Sequence, residues 1–231
     1  MDVLTQIPVR NRLLVTLPPA DFSLLEPQLE RVPLPVGTSL VEPDTPIEHV
    51  YFLEEGITSV VATTPQGRRI EIGIIGPEGL TGMPVLLGMD RTPHACFVQM
   101  TGAGLRIRAD DLRAATAASA TLQQRLLRFV HAFTVQIGQT ALANASHLIE
   151  ERLARRLLMC HDRVDGDDLV TTHEFLSLML GVRRSGVTEA LQSLEDRGMI
   201  STRRGQVRVV DRAMLEAVAG DSYNLPEANE P

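Results

Sequence analysis

The chain has no lysine: all 22 of its basic residues are arginine. Guanidinium is planar and grips a phosphate or a guanine edge with two bonds, which an ammonium cannot do. Cysteine is scarce too, with only Cys96 and Cys160, 64 positions apart. That spacing forms neither a metal knuckle nor a disulfide framework, which argues against a stapled secreted scaffold and a cysteine-ligated zinc or iron–sulfur site. No apolar run approaches the roughly 18 residues a membrane helix needs. The opening MDVLTQIPVRNRLL lacks the basic-then-apolar layout of a signal peptide. A cytoplasmic chain without a membrane partner is expected. Neither a catalytic nor a metal site is expected, because there is no nucleophile–base pair at a recognisable spacing, no phosphate loop and no metal constellation.

What remains is a globular composition: 231 residues, 44% hydrophobic and 22% charged, enough for one large domain or two small ones. The net charge of −7 discourages a nucleic-acid partner until it is partitioned. Residues 1–149 carry 11 Arg against 14 acids, residues 150–212 carry 11 against 11, and residues 213–231 carry none against four. Within 183–212 the balance is seven Arg to four acids, so the overall acidity conceals a locally basic stretch.

From about residue 30 to 109, short β-like runs alternate with Gly, Pro and Asp turns, as in HVYFLEEGITSVV and RRIEIGII. Gln66-Gly67 forms the expected tip of a hairpin, followed by Arg68 and Arg69. Such strands predict a small antiparallel β-roll or barrel rather than a βαβ unit. After Ile107 the chain becomes rich in Ala, Leu, Gln and Arg and loses Pro. Leu122, Leu126, Phe129, Phe133, Gln136 and Thr140 follow a helical seam, with Leu127, Val130, Ile137 and Ala141 in an adjacent apolar stripe. Two stripes call for two partners: the roll is one, and the same helix of a second subunit is the other, unless the helix is simply buried in its own domain. Residues 144–147 favour caps and turns, with Ser146 a candidate start for a new helix, and the domain boundary is placed there.

The sharpest local signal is TTHEFLSLMLGVRRSGVTEALQSLEDRG, residues 171–198. Phe175, Leu176, Met179 and Leu180 mark one short helix ending at Gly181; Val187, Ala190, Leu191 and Leu194 mark a second ending near Gly198. This is the layout of a helix-turn-helix, whose second helix offers its outer face to a major groove. That face carries Arg183, Arg184, Ser185, Thr188 and Glu189. Next, Ile200 and Val207, Val209 and Val210 flank a turn bearing Arg203 and Arg204, which predicts a wing touching the phosphate backbone. Arg184 suits a two-bond contact with guanine O6 and N7, and Glu189 either accepts from a cytosine amino group or balances Arg183 or Arg184. Thr172, His173, Arg203 and Arg204 suit phosphate contacts.

Over residues 20–212 these segments, in this order, resemble the Crp/Fnr family of bacterial transcription regulators. The resemblance implies an α+β fold: an N-terminal antiparallel β-roll like a cyclic-nucleotide-binding domain, a long dimerisation helix and a C-terminal winged helix-turn-helix. The implied domains are 1–118 (effector-sensing roll with N-terminal helices), 119–145 (dimerisation helix and hinge), 146–212 (DNA-binding domain) and a tail, 213–231. The dimer seam is assigned to Leu122, Leu126, Phe129, Phe133, Gln136 and Thr140. The family's ligand cassette has a Gly-Glu pair and an Arg for the cyclic phosphate; this chain has Gly82-Met83, and the phosphate position falls to Arg91 with a one-residue gap or to Thr92 without one. Without the carboxylate, cyclic AMP is not the expected effector. The Fnr-type iron–sulfur cluster lacks its N-terminal cysteines. His94 is a haem or effector ligand, or a structural histidine; Cys96 is expected to be a buried small hydrophobe.

The expected function is a homodimeric, sequence-specific DNA-binding regulator acting on inverted repeats of double-stranded DNA, with a small-molecule effector in the roll and RNA polymerase as a further partner. The competing expectation is an effector-sensing adaptor that has lost DNA binding and acts through protein contacts.

Overall fold

The computed structural model describes residues 9–223. The chain enters through two short helices, α1 (Arg12–Val15) and α2 (Pro19–Leu25). Asn11 caps α1 by accepting from the Leu14 amide at 3.1 Å, and donates to the Leu53 and Gly79 carbonyls, which anchors this entry to the sheet. Five strands follow: β1 (Glu30–Leu34), β2 (Ser39–Val41), β3 (His49–Thr63), β4 (Arg69–Ile75) and β5 (Ala95–Arg108). All pair antiparallel, in the order β1-β5-β3-β4 with β2 also on β5. This is the expected roll, and Gly67, with φ of +79°, closes the predicted β3–β4 hairpin.

The helical half consists of α3 (Ala109–Ala118), α4 (Ala120–Ser146) and α5 (Ile149–His161), then β6 (Asp168–Val170), α6 (His173–Leu180), α7 (Arg184–Asp196), β7 (Ile200–Arg203), β8 (Gln206–Val209) and α8 (Arg212–Ala219). Strands β6, β8 and β7 form a three-stranded antiparallel wing. The α+β class and the order roll, long helix, winged helix-turn-helix are therefore as expected. Among the described residues no helix is long and apolar enough to cross a membrane.

Three expectations need correction. The seam assigned to the dimer faces inward: Leu122 and Leu126 are 0% exposed, and Phe129, Phe133 and Gln136 are buried within the single chain. The reason is glycine on the roll. A Cβ at Gly79 would stand 2.3 Å from the Phe129 ring and one at Gly73 2.7 Å from Phe133, so both rings lie directly on backbone. The Gln136 side-chain oxygen Oε1 accepts from the Ile74 amide at 2.7 Å, which completes the attachment of α4 to β4. Thr140, half-buried, is turned inward too, donating to the Gln136 carbonyl and facing Arg155. The second stripe is the less covered one: Ala141 is exposed and Leu127, Val130 and Ile137 are half-buried, with Val130 and Ile137 bordering a cavity against the roll.

The hinge also differs. Helix α4 runs through Asn144 to Ser146, because the Ser146 hydroxyl donates back to the Leu142 carbonyl at 2.7 Å instead of capping a new helix. The break falls at His147 and Leu148, and Glu151 accepts from the Leu148 amide to start α5. Finally, part of the segment expected as a tail is folded. Helix α8 buries Leu215 and Ala219 against α5, and Asp211 caps it. Residues 224–231 of that tail, like residues 1–8, lie outside the described residues.

Candidate nucleic-acid interface and effector cavity

Helix α6 begins at Thr172, whose hydroxyl accepts from the Phe175 amide at 3.1 Å. It ends at Gly181, with φ of +64°, a conformation that lets the chain turn while the Val182 amide donates to the Ser177 carbonyl. Helix α7 follows from an Arg183 cap that provides no side-chain acceptor, and its first turn contains no acid. Unpaired amides and the helix dipole therefore project positive potential at the point where Arg183, Arg184 and Ser185 are exposed. Val187, Ala190, Leu191 and Leu194 are buried, which turns Arg184, Thr188 and Glu189 outward.

The remaining predicted residues are brought to this helix by direct contacts. His173 Nδ1 lies 3.1 Å from the Thr188 hydroxyl, and the Thr188 hydroxyl donates to the Arg184 carbonyl. The Thr171 amide donates to the Gly205 carbonyl at 3.0 Å, tying the start of α6 to the wing tip that carries Arg203 and Arg204. The nine predicted residues thus lie on three connected elements.

Arginine pairing separates these residues from their neighbours. Of the eleven arginines from Arg152 to Arg212, seven are engaged: Arg152 with the Leu180 carbonyl, Arg155 with the Ser222 carbonyl, Arg156 with Glu71, Arg163 with Glu78, Arg197 with Glu150, Arg208 with Asp167 and Asp168, and Arg212 with Asp162. Among the described residues, the side chains of the other four, Arg183, Arg184, Arg203 and Arg204, have no hydrogen bond or ion pair. Glu189 also makes no ion pair there, so it does not balance Arg183 or Arg184 within the chain. Sequence reasoning missed one adjacency. Arg68 and Arg69 line a cleft with Phe175, Val182 and Arg183, and Arg69 lies over the Phe97 ring at 5.5 Å. The Arg pair after Gly67 was visible in the sequence, but its neighbour across the domain junction was not.

In the roll, Gly82, with φ of +70°, opens a five-residue 3-10 turn from Met83 to Leu87. Gly82, Met83 and Thr92 line a cavity between the roll and α4; Arg91 does not. The Arg91 guanidinium is exposed and forms a two-bond pair with Asp90, Nε to Oδ1 and Nη2 to Oδ2, both 3.1 Å. His94 Nδ1 is 3.3 Å from the Thr92 hydroxyl. Cys96 is buried in the wall, and burial pushes its thiol up to about 12, so it carries no thiolate near neutral pH.

Comparison with known proteins matches both halves of this architecture. The cyclic nucleotide-binding domain model matches residues 31–119 and the Crp-like helix-turn-helix domain model residues 151–218. The transcriptional regulator LdrP of Thermus thermophilus is 30% identical over 176 residues, which cover 75% of this chain and 88% of that protein. The chain belongs to the Crp/Fnr family. The CRP-like cAMP-activated global transcriptional regulator of Mycobacterium tuberculosis is 25% identical over 206 residues, covering 85% of this chain and 91% of that one. The solved structure of FixK2 from Bradyrhizobium japonicum, 16% identical, shares the fold with a TM-score of 0.72 over 83% of this chain and 98% of its own. As a Crp/Fnr protein, the chain is a transcription regulator with a DNA-binding helix-turn-helix.

The cyclic nucleotide suggested by the domain model does not fit the residues present. The cavity lining includes no carboxylate to hold a ribose hydroxyl and no arginine to pair with a cyclic phosphate, and Arg91 is committed to Asp90 outside it. A buried phosphate without a paired cation is strongly disfavoured.

In this Crp/Fnr chain the two domains meet through a buried charge pair. Glu71 on β4 receives Arg156 from α5, Nε to Oε1 and Nη2 to Oε2 both at 2.9 Å, and Arg156 also donates to Gln99 at 2.5 Å. Ile57, Ile74 and Met100 of the roll join the same apolar core as α5, α6 and α7. Burial raises the Glu71 carboxyl from its ordinary 4.5 to about 6, against the opposing pull of Arg156. Between those values the unfolded state loses this proton before the folded state does, so stability falls as pH rises. Wild type is expected to lose ~2 kcal/mol relative to Glu71→Gln between pH 4.5 and 6 and then level off, as read by urea denaturation at each pH.

Proposed function

We propose that this regulator binds double-stranded DNA as a homodimer, with α7 of each subunit in a major groove and the wing on the backbone, reading inverted half-sites about one helical turn apart. The observation that supports the reading is that, among the described arginines from Arg152 to Arg212, the four whose side chains have no intramolecular partner lie together, two at the uncapped start of α7 and two at the wing tip. Arg184 reads guanine, Glu189 accepts from cytosine, Ser185 and Thr188 border the same groove, and Thr172, His173, Arg183, Arg203 and Arg204 hold phosphates. These exposed cations favour DNA binding over an adaptor role. RNA polymerase is the proposed protein partner at the promoter. The functional division is a roll up to α3, the α4 connector, and a DNA-binding unit from α5 through α8.

A gel shift on the chain's own upstream region, at several stated salt concentrations, tests this reading. Affinity that falls steeply with salt is expected, because each neutralised phosphate releases counterions. Salt-independent or absent binding sinks the proposal.

The subunits are proposed to meet through Gln123, Leu127, Val130, Thr134, Ile137 and Ala141, which alternate by four and three residues along the outward side of α4. Ala141→Glu sets like charges against each other across the twofold axis, so the dimer should weaken by at least about ten-fold in sedimentation equilibrium. Because Ala141 is exposed in the single chain, the variant retains its fold. A wild type that sediments as a monomer at micromolar concentration overturns the dimer.

A further inference from the structure

The cavity between the roll and α4 has a volume of about 180 Å³. Val41, Val60, Ile75, Phe133 and Ile137 form its walls, and Leu87, 59% exposed, stands at its rim. No Asp, Glu or Arg lines it. The polar side chains present are few: the Thr92 hydroxyl, already shared between the His94 amide and ring, the His94 ring itself, the Cys96 thiol, and the Thr134 hydroxyl, which donates to the Val130 carbonyl.

We infer that this cavity binds a small, uncharged, mainly apolar molecule about the size of one six-membered ring, and that it excludes cyclic nucleotides. The inference rests on the proposed reading of the chain as a regulator and names the chemistry of its effector. Size supports it, since an apolar cavity of ~150 Å³ accommodates benzene, whereas pockets for drug-sized molecules occupy roughly 300 Å³ or more. Electrostatics agree, because an anion entering here would give up its hydration without meeting a cation. One polar atom on the ligand has a place beside the His94 ring. Coupling to the rest of the molecule follows from the walls: Val130, Phe133, Thr134 and Ile137 are on α4, which leads into α5, and Val130, Thr134 and Ile137 also belong to the proposed dimer stripe, so the cavity borders the subunit contact. A ligand that fills the cavity therefore acts on the helix joining both functional halves.

The test uses the full chain with methyl-labelled Met, Ile and Val, titrated with toluene, phenol and cyclic AMP and followed by NMR. Toluene and phenol should shift the methyls of Met83, Ile75 or Ile137, and cyclic AMP should leave them in place. Leu87→Trp, which narrows the rim from an exposed position, and Val60→Leu, which adds bulk to the wall, should each weaken toluene binding by about ten-fold or more, the scale set by one methylene's worth of fit. Absent shifts with toluene and phenol, or cyclic AMP shifting the same methyls, overturn the inference. Duplex-DNA binding on the same sample separates the two readings. Intact salt-dependent DNA binding without toluene binding removes only the cavity proposal, and absent DNA binding removes the regulator reading.

Discussion

An Arg183→Ala, Arg184→Ala double variant is expected to lose roughly 10² to 10⁴-fold in affinity for duplex DNA while unfolding at the wild-type denaturant concentration. Each groove or backbone contact of this kind is worth about 1–3 kcal/mol, and every 1.4 kcal/mol is tenfold. Stability should stay within about 0.5 kcal/mol, because neither side chain has a partner among the described residues to lose. Removing two cations from the start of α7 even relieves an unfavourable meeting with the positive end of the helix dipole. The pattern across sites is as informative as the size. Arg203→Ala should weaken all sequences about equally and reduce the salt slope by about one, while Arg184→Ala alone should also relax preference at one base position. Unchanged binding by the double variant would remove α7 as the reading helix.

Glu71→Ala is expected to cost about 1–3 kcal/mol of stability, because it leaves the buried Arg156 guanidinium without the acceptor oxygens of the carboxyl group. Gln99 and the Cys160 sulfur remain as its neighbours, and they do not replace the two carboxyl oxygens. A Glu71→Leu, Arg156→Leu double variant should recover most of that loss, since an apolar pair pays no desolvation. The single and double variants, compared by urea denaturation, therefore separate a broken pair from a missing one. A cost below about 1 kcal/mol for Glu71→Ala would mean that water reaches Arg156 and the junction is open in solution. The pair joins β4 to α5, so its rupture should also loosen the DNA-binding half from the roll, visible as two unfolding transitions in place of one.

The two variants probe features of very different legibility. The helix-turn-helix is encoded locally: Gly181 marks the turn, the apolar spacing marks the inward faces, and the remaining positions of α7 must face out. The roll is similarly local, since alternation and glycine turns mark each strand. Helix α8 is less legible because its short apolar run lies in an acidic segment, although Asp211 before that run is a cap signal. Asn144 and Ser146 misled in the opposite direction, since a serine that bonds back to its own helix is compatible with continuing it.

By itself, the sequence determined the order of roll, long helix, helix pair and wing, the basic face of α7 and the methionine after Gly82, because each depends on residues close together along the chain. Tertiary structure alone decided which stripe of α4 turns inward, since both are apolar at helical spacing and the choice was made by Gly73 and Gly79, some fifty positions away, beneath Phe133 and Phe129. It also decided that Arg91 pairs with its neighbour outside the cavity, that Glu71 meets Arg156 across 85 positions, and that, among the described arginines from Arg152 to Arg212, only the four at the start of α7 and the wing tip are left without partners. The physical reason is common to all of these. Periodicity reports which side chains must be buried, but a partner is selected by what the rest of the chain brings within reach.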